Sequence, residues 1–272
     1  MKQMKVEGVC ADLTITSPPY DNLCTYNGTS TWNSDVFGDV TDLLYDITAD
    51  GGIVVWVVGD ATIDGSETGS SFRQALFFKE IGFSLHDTMI FEKNSSAFPA
   101  NRNGNRYTQI FEYMFVFSKG KPKTANLICD KPNKWAGYTN WGKNTQYGSD
   151  GRLTETEDIK PVPKFSPRTN IWKYSVGFNV NKGKHPAVFP YQMAEDHILS
   201  WSNEGDLVFD PFLGSGTTMF AAIRNNRRFI GSETDEGYFS ALQGNYRGYQ
   251  SRWAKAGINI NQPYLFTENI NI

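Results

Sequence analysis

The chain has 272 residues, 39% hydrophobic and 14% aromatic, and a net charge of −3. This suits one large α/β domain with an inserted module, or two small domains. No run of about 18 apolar residues offers a transmembrane helix, and "MKQMKVEGVCADL" lacks the apolar core of a signal peptide. Cys10, Cys24 and Cys129 are odd in number and form no CxxC, so reduced thiols in a cytosol are expected, without a disulfide framework or structural zinc. The charge is unevenly divided. Residues 1–92 carry 4 Lys/Arg against 14 Asp/Glu, and residues 93–194 carry 16 against 6. An acidic body with a basic middle suggests a polyanion bound at one face; a solvated basic loop region reads equally well from charge alone.

In chain order, "DLTIT" (12–16) predicts a buried strand that runs into "SPPY". Neither proline has an N–H, both fix φ, and each pushes the preceding residue away from the helical region. The strand must end in a stiff extended turn whose carbonyls stay unpaired. "GGIVVWVVGD" (51–60) predicts a second strand, its long apolar run typical of one covered on both faces. Asp60 closes it; Trp56 reads as core. Apolar residues at helical spacing predict a helix over 71–83, ending at Gly82. "SLHDTMIFEK" (84–93) and "TQIFEYMFVFSKG" (108–120) predict two more strands, the second antiparallel to its neighbour. Residues 119–183 lose periodicity but keep Trp135, Tyr138, Trp141, Tyr147, Trp172 and Tyr174. So long an irregular stretch is usually functional or disordered, and these rings argue against disorder. A helix near 190–202, the strand "DLVFD" (206–210), a helix from about Thr217 to Asn225, the strand "RRFIGSE" (227–233) and a helix after Asp235 follow. Strands alternating with helices predict a mostly parallel, Rossmann-like sheet with helices on both faces.

"DLVFDPFLGSGTTMFAA" (206–222) carries the most chemical information. A strand ends on Asp210, a loop with Gly214 and Gly216 follows, and a helix opens directly after it. Glycines let backbone approach a ligand, and the helix N-terminus turns N–H groups toward it. A Walker loop is excluded because no Lys follows the last Gly. The dinucleotide fingerprint is excluded because Met219 stands at its third glycine. Without phosphate-binding features the loop suits a nucleoside without phosphates, with Glu233, one strand later, at the position suited to two ribose hydroxyls; Gly-Ser-Gly alone reads equally as a tight turn.

"TSPPY" at 16–20, "IFEYMFVFSKG" before the irregular region, "KHPAVFP" at 184–190 and "DPFLGSGTT" at 210–218 together resemble the S-adenosylmethionine-dependent amino-methyltransferases of DNA. The order, catalytic motif before cofactor motif, is that of the β group, and the resemblance runs from about Asp12 to Tyr238. It implies the class I methyltransferase fold. Its halves would be 1–118 (catalytic) and 184–250 (cofactor), with 119–183 as target-recognition region and 251–272 as a tail packed on the body or a partner. It implies catalysis by Ser17, Pro18, Pro19 and Tyr20. Cofactor contacts would come from Asp210, Pro211, Phe212, Gly214, Ser215, Gly216, Thr217 and Glu233, and from His185, Pro186 and Ala187. DNA contacts are expected from Arg102, Arg106, Arg152 and Arg168. Family members usually carry one more strand upstream, ending in an acid on the adenine side of the cofactor; eleven residues precede Asp12 here. Phe111 stands where a close relative often has His.

The implied reaction is methyl transfer from S-adenosylmethionine to the exocyclic amine of a base flipped from double-stranded DNA, with no metal. Ser at the first motif position resembles the members acting on cytosine N4; Asp or Asn there more often accompanies adenine N6, which is the alternative. A cofactor- or DNA-binding protein without activity is a second class, against which the intact "SPPY" and "DPFLGSGTT" speak. A small-molecule or protein methyltransferase fits the cofactor motif but not the basic, aromatic middle. A cognate restriction endonuclease or a second copy of the chain are open as protein partners; no nuclease motif is apparent.

Overall fold

The computed structural model describes residues 1–19, 32–94, 106–139, 145–155, 160–175, 190–255 and 265–266. A short helix α1 (Lys2–Glu7) leads into β1 (Ala11–Thr16), α2 (Ser34–Ile47) and β2 (Thr48–Val58). A small hairpin of β3 (Thr62–Ile63) and β4 (Ser66–Glu67) precedes α3 (Ser70–Glu80), β5 (Ser84–Lys93) and β6 (Phe111–Ser118). Four short strands come next: β7 (Lys131–Pro132), β8 (Thr145–Tyr147), β9 (Leu153–Glu155) and β10 (Phe165–Ser166). The chain ends through β11 (Ile171–Tyr174), α4 (Tyr191–Trp201), β12 (Leu207–Asp210), α5 (Thr217–Arg224), β13 (Arg228–Gly231), α6 (Glu236–Lys255) and β14 (Leu265–Phe266).

Among the described residues, eight strands form one sheet in the order β11-β5-β6-β2-β1-β12-β13-β14. Of these only β6 runs against the rest, pairing antiparallel with both β5 and β2, as expected of it. Helices cover both faces, which explains the unbroken apolar run of β2. Val54, Trp56 and Val58 face a core shared with Phe37, Val40 and Leu44 of α2 and Phe78 of α3. Phe78 stacks on Phe117 at 4.3 Å and meets Trp56 edge-on at 5.1 Å. Trp56 is fully buried and donates its indole N–H to Gln74 at 2.8 Å, which makes it core. Residues of alternate parity point to the other face, where His197 of α4 lies 3.3 Å from Met114 Sδ. Burial pulls the His197 pKa down to about 3, so this imidazole stays neutral.

Contacts divide the chain into two compact units, 127–169 and the remainder. The smaller unit is narrower than the 119–183 expected from sequence, because Ile171–Tyr174 pairs in parallel with β5 as an edge strand of the main sheet. Trp172 and Tyr174 are buried there, and Tyr174 donates to Asp196 of α4 at 2.7 Å. These two rings, read from sequence as part of the irregular region, are sheet core. Within the smaller unit, β7 pairs with β10 and β8 with β9, both antiparallel. In the expected tail, α6 extends to Lys255 and Leu265–Phe266 pairs with β13, on the body.

Candidate active site

The chain order reverses between β1 and β12. From β1 the chain passes through α2 to β2 on one side; from β12 it passes through α5 to β13 on the other. In open α/β sheets a crevice forms at such a point, at the carboxyl ends of the strands, and ligands bind there. The two segments leaving at this crevice are the Ser17-Pro18-Pro19 turn and the 211–216 loop. Pro18 is buried; Ser17 and Pro19 are half-buried.

Asp210 joins the two segments. Its carboxylate is 1% exposed and takes three hydrogen bonds. Thr16 Oγ1 donates to Oδ1 at 2.7 Å, Phe212 N–H donates to the same oxygen at 3.1 Å, and Thr218 Oγ1 donates to Oδ2 at 2.8 Å. Thr218 Oγ1 also lies 3.5 Å from the Ile15 carbonyl. Burial pushes the Asp210 carboxyl up to about 6, against the three donors that favour its charged form, and nearby Glu233 pushes the same way as burial.

Glu233 lies just past β13. One of its oxygens accepts from Gly214 N–H at 2.7 Å and the other from Asp235 N–H at 2.9 Å. The carboxylate thus fixes the glycine loop, and each oxygen keeps a second lone pair. Gly214 and Gly216 both have positive φ, 52° and 84°. Gly216 is the N-cap of α5 with no side-chain cap, so the first N–H groups of the helix remain for a ligand. A Cβ on Gly216 would come within 2.2 Å of Leu242 Cδ1. We expect Gly216→Ala to lose about 2–5 kcal/mol of stability from backbone strain and overpacking, read as a lower urea midpoint and weaker binding of the nucleoside ligand. Phe212 sits in an aromatic cluster, edge-on to Trp32 at 5.3 Å and to Trp56 at 6.4 Å.

Ser17, Pro18, Pro19, Asp210, Pro211, Phe212, Gly214, Ser215, Gly216, Thr217 and Glu233 thus gather at one crevice. Tyr20, His185, Pro186, Ala187 and Arg102 lie outside the described residues. Asp60 does not end its strand, since β2 stops at Val58; it lies two residues beyond and serves structure, accepting from Ser71 N–H at 2.9 Å and Ser71 Oγ at 2.5 Å at the start of α3. Arg106 bonds the Gly65 carbonyl of the β3–β4 hairpin. In the smaller unit, Arg168 makes two bonds to Asp130 Oδ2, at 3.0 and 2.6 Å, and holds that carboxyl below its ordinary range. Arg152 is exposed on the same unit, beside β9. Sequence reasoning passed over Thr16 and Thr218. Both stand inside the quoted motifs, but only the register of β1 against β12, Thr14 opposite Phe209, brings them to one carboxylate.

Among the described residues, two carboxylates and no lysine stand beside the glycine loop, an arrangement that repels a phosphate and suits a nucleoside that carries positive charge. The DNA methylase family profile for N6 and N4 amino-methyltransferases matches residues 11–244. The chain belongs to this family. An orphan methyltransferase, M.BamHII of Bacillus amyloliquefaciens, is 52% identical over 243 residues, covering 88% of this chain and 89% of that protein. Among solved structures, the cytosine-N4-specific PvuII DNA methyltransferase superposes with a TM-score of 0.63 at 19% identity, over 97% of this chain and 92% of its own. The M1.HpyAVI complex with S-adenosylmethionine superposes with 0.57 at 23%, over 90% and 93%. The fold is that of the class I methyltransferases, and the protein is a DNA methyltransferase of the N6 and N4 amino-methyltransferase family. The crevice would fit S-adenosylmethionine: the left-handed glycines admit a close approach to backbone, and Glu233 keeps lone pairs for a ribose diol. Among the described residues, no helix is long and apolar enough to cross a membrane.

Proposed function

We propose that this methyltransferase modifies the N4 amine of cytosine in double-stranded DNA, with the Ser17-Pro18-Pro19 turn as the acceptor side and the 210–217 segment as the donor side. The observation that carries this reading is the adjacency of the two segments on neighbouring strands, bonded through one buried carboxylate. An exocyclic amine is a poor nucleophile because its lone pair is delocalised into the ring. Ser17 Oγ and the main-chain carbonyl at Pro18 accept the two amine hydrogens, which favours a pyramidal nitrogen with its lone pair free. The prolines hold these acceptors in place before the base arrives, so little reorganisation is needed at the moment of reaction. Tyr20 offers a face for the base, and such stacking returns roughly 1–3 kcal/mol of the cost of flipping. The bound cofactor supplies an activated methyl group on a sulfonium and leaves as a neutral thioether. Gly214, Gly216 and the start of α5 hold it, Glu233 takes the ribose hydroxyls, and the nitrogen sheds one proton to solvent.

Residues 127–169 are the target-reading unit in this proposal. Its exposed Trp135 and Tyr138 pack at 5.9 Å, Lys134 lies over Trp135 and Lys164 over Phe165. Interleaved rings and cations of this kind suit a nucleic acid, and Arg152 and Lys131 extend the set. Ser17 favours cytosine over adenine. The test is methyl transfer from labelled S-adenosylmethionine to unmethylated genomic DNA, with the nucleosides identified by mass spectrometry. N4-methylcytosine is expected; N6-methyladenine would overturn the base assignment and leave the enzyme standing.

A further inference from the structure

Strands β1 and β12 carry the two halves of the chemistry, but backbone pairing alone leaves their loops independent. The β1–β12 ladder ends at Thr14 opposite Phe209, so both loops begin beyond the reach of that strand pair. A set of side-chain bonds bridges this gap. Thr16 is the last residue of β1 and directly precedes Ser17; Asp210 is the last residue of β12 and directly precedes the cofactor loop. Thr218 is the second residue of α5, the helix that opens under the cofactor. Thr16 and Thr218 are both fully buried, and each donates to a different oxygen of Asp210. The Phe212 N–H supplies the third donor from within the loop. Three donors converge on a group with no donor of its own, an arrangement that matches a carboxylate.

We propose that Thr16, Asp210 and Thr218 form a latch that sets the spacing between the methyl-accepting turn and the methyl-donor loop, with both threonines as positioning residues. The proposal rests on the functional reading above. In methyl transfer the new N–C bond forms as the S–C bond breaks, along one line, so a shift on the order of 1 Å between acceptor and donor is costly. Neither threonine reaches substrate in this scheme. Each acts through the residue beside it: Thr16 through Ser17, Thr218 through the first turn of α5.

The test uses the full chain and compares Thr16→Val, Thr218→Val, the double variant and Thr16→Ser. Valine keeps the shape and removes the hydroxyl. Thermal melts first establish that each variant folds. Single-turnover methylation of genomic DNA at saturating cofactor is then followed across pH, and binding of S-adenosylmethionine is measured by calorimetry. A latch predicts a 10- to 100-fold loss of the transfer rate in Thr16→Val with cofactor affinity within threefold of wild type. It predicts a double variant no worse than the poorer single, because the bonds act as one unit. Thr16→Ser restores the rate to within a few-fold of wild type. Losing either donor disfavours the charged carboxylate, so the acidic limb of the rate profile moves to higher pH in both valine variants. The groups that bear on this limb are Asp210 itself and Glu233. Rates within twofold of wild type in Thr16→Val, or losses that multiply in the double variant, overturn the latch. If Thr16→Val does not fold, Thr16→Ser decides through the rate and the limb, and a tenfold loss there counts against the proposal. Wild type that methylates no base sinks the functional reading instead, so the two failures are separable.

Discussion

Replacing Asp210 with asparagine is expected to stabilise the fold at alkaline pH while abolishing most of the activity. The carboxyl titrates at about 6 in the folded chain, against an ordinary value of 3.8. The folded state therefore binds this proton more tightly than the unfolded chain does. Its stabilising effect is complete below about pH 3.8 and disappears as pH rises to about 6. Above that, the ionised carboxylate costs the fold on the order of 3 kcal/mol. Asparagine does not titrate. Its carbonyl accepts from Thr16 and Phe212, its amide donates to Thr218 Oγ1, and that hydroxyl turns to the Ile15 carbonyl 3.5 Å away. Relative to wild type, Asp210→Asn should thus gain about 2 kcal/mol between pH 4 and pH 8, measured as the difference in urea unfolding at the two values. Methyl transfer at pH 8 should fall at least about 100-fold, because the site proposed for a cationic cofactor loses the buried negative charge beneath it. A variant whose relative stability is flat with pH would show that the buried carboxylate carries no such cost.

The second large effect is at Ser17. Ser17→Ala removes one of the two acceptors proposed for the amine and leaves the Pro18-Pro19 turn, Thr16 and the glycine loop intact. Loss of one preorganised hydrogen-bonding group at a reacting centre typically costs about 10²–10³ in rate. We expect a loss of that size in kcat, with S-adenosylmethionine affinity unchanged and DNA affinity within a few-fold, since the group acts on the reacting nitrogen. Isothermal calorimetry for the cofactor, gel shift for DNA and single-turnover rates separate these quantities. A Ser17→Ala enzyme with wild-type rate would remove the hydroxyl from the mechanism, and one that merely binds cofactor poorly would move Ser17 to the donor side.

Much of this arrangement was legible in the sequence. The unbroken apolar run of β2, the Pro-Pro stop after β1 and the strand–glycine–helix pattern around Asp210 each follow from local rules, and all three elements stand where those rules put them. The helix α2 was not foreseen. Phe37, Val40, Leu44 and Ile47 do recur at helical spacing, but Gly38 and four aspartates within "SDVFGDVTDLLYDI" dilute the pattern. Strand β11 alternates exposed and buried residues over only four positions, too few to separate from an aromatic loop. The roles of Thr16 and Thr218 could not be read locally at all. They depend on a register between segments far apart in the chain, and no short-range pattern encodes it.

That separation also bears on how the protein is made. The bond between Thr16 and Asp210 spans 194 positions, and the β1–β12 pair it accompanies lies inside the sheet, between β2 and β13. At a synthesis rate of 5–20 residues per second, β12 leaves the ribosome on the order of 10–40 s after β1. Until then β1 has β2 on one side and an open edge of unpaired N–H and C=O groups on the other. A nascent chain stalled anywhere before residue 207 presents that apolar edge to its neighbours, the kind of strand that recruits other chains into aggregates. Rapid overproduction should therefore yield inclusion bodies built from half-made sheets, and slower synthesis in the cold should favour the soluble enzyme.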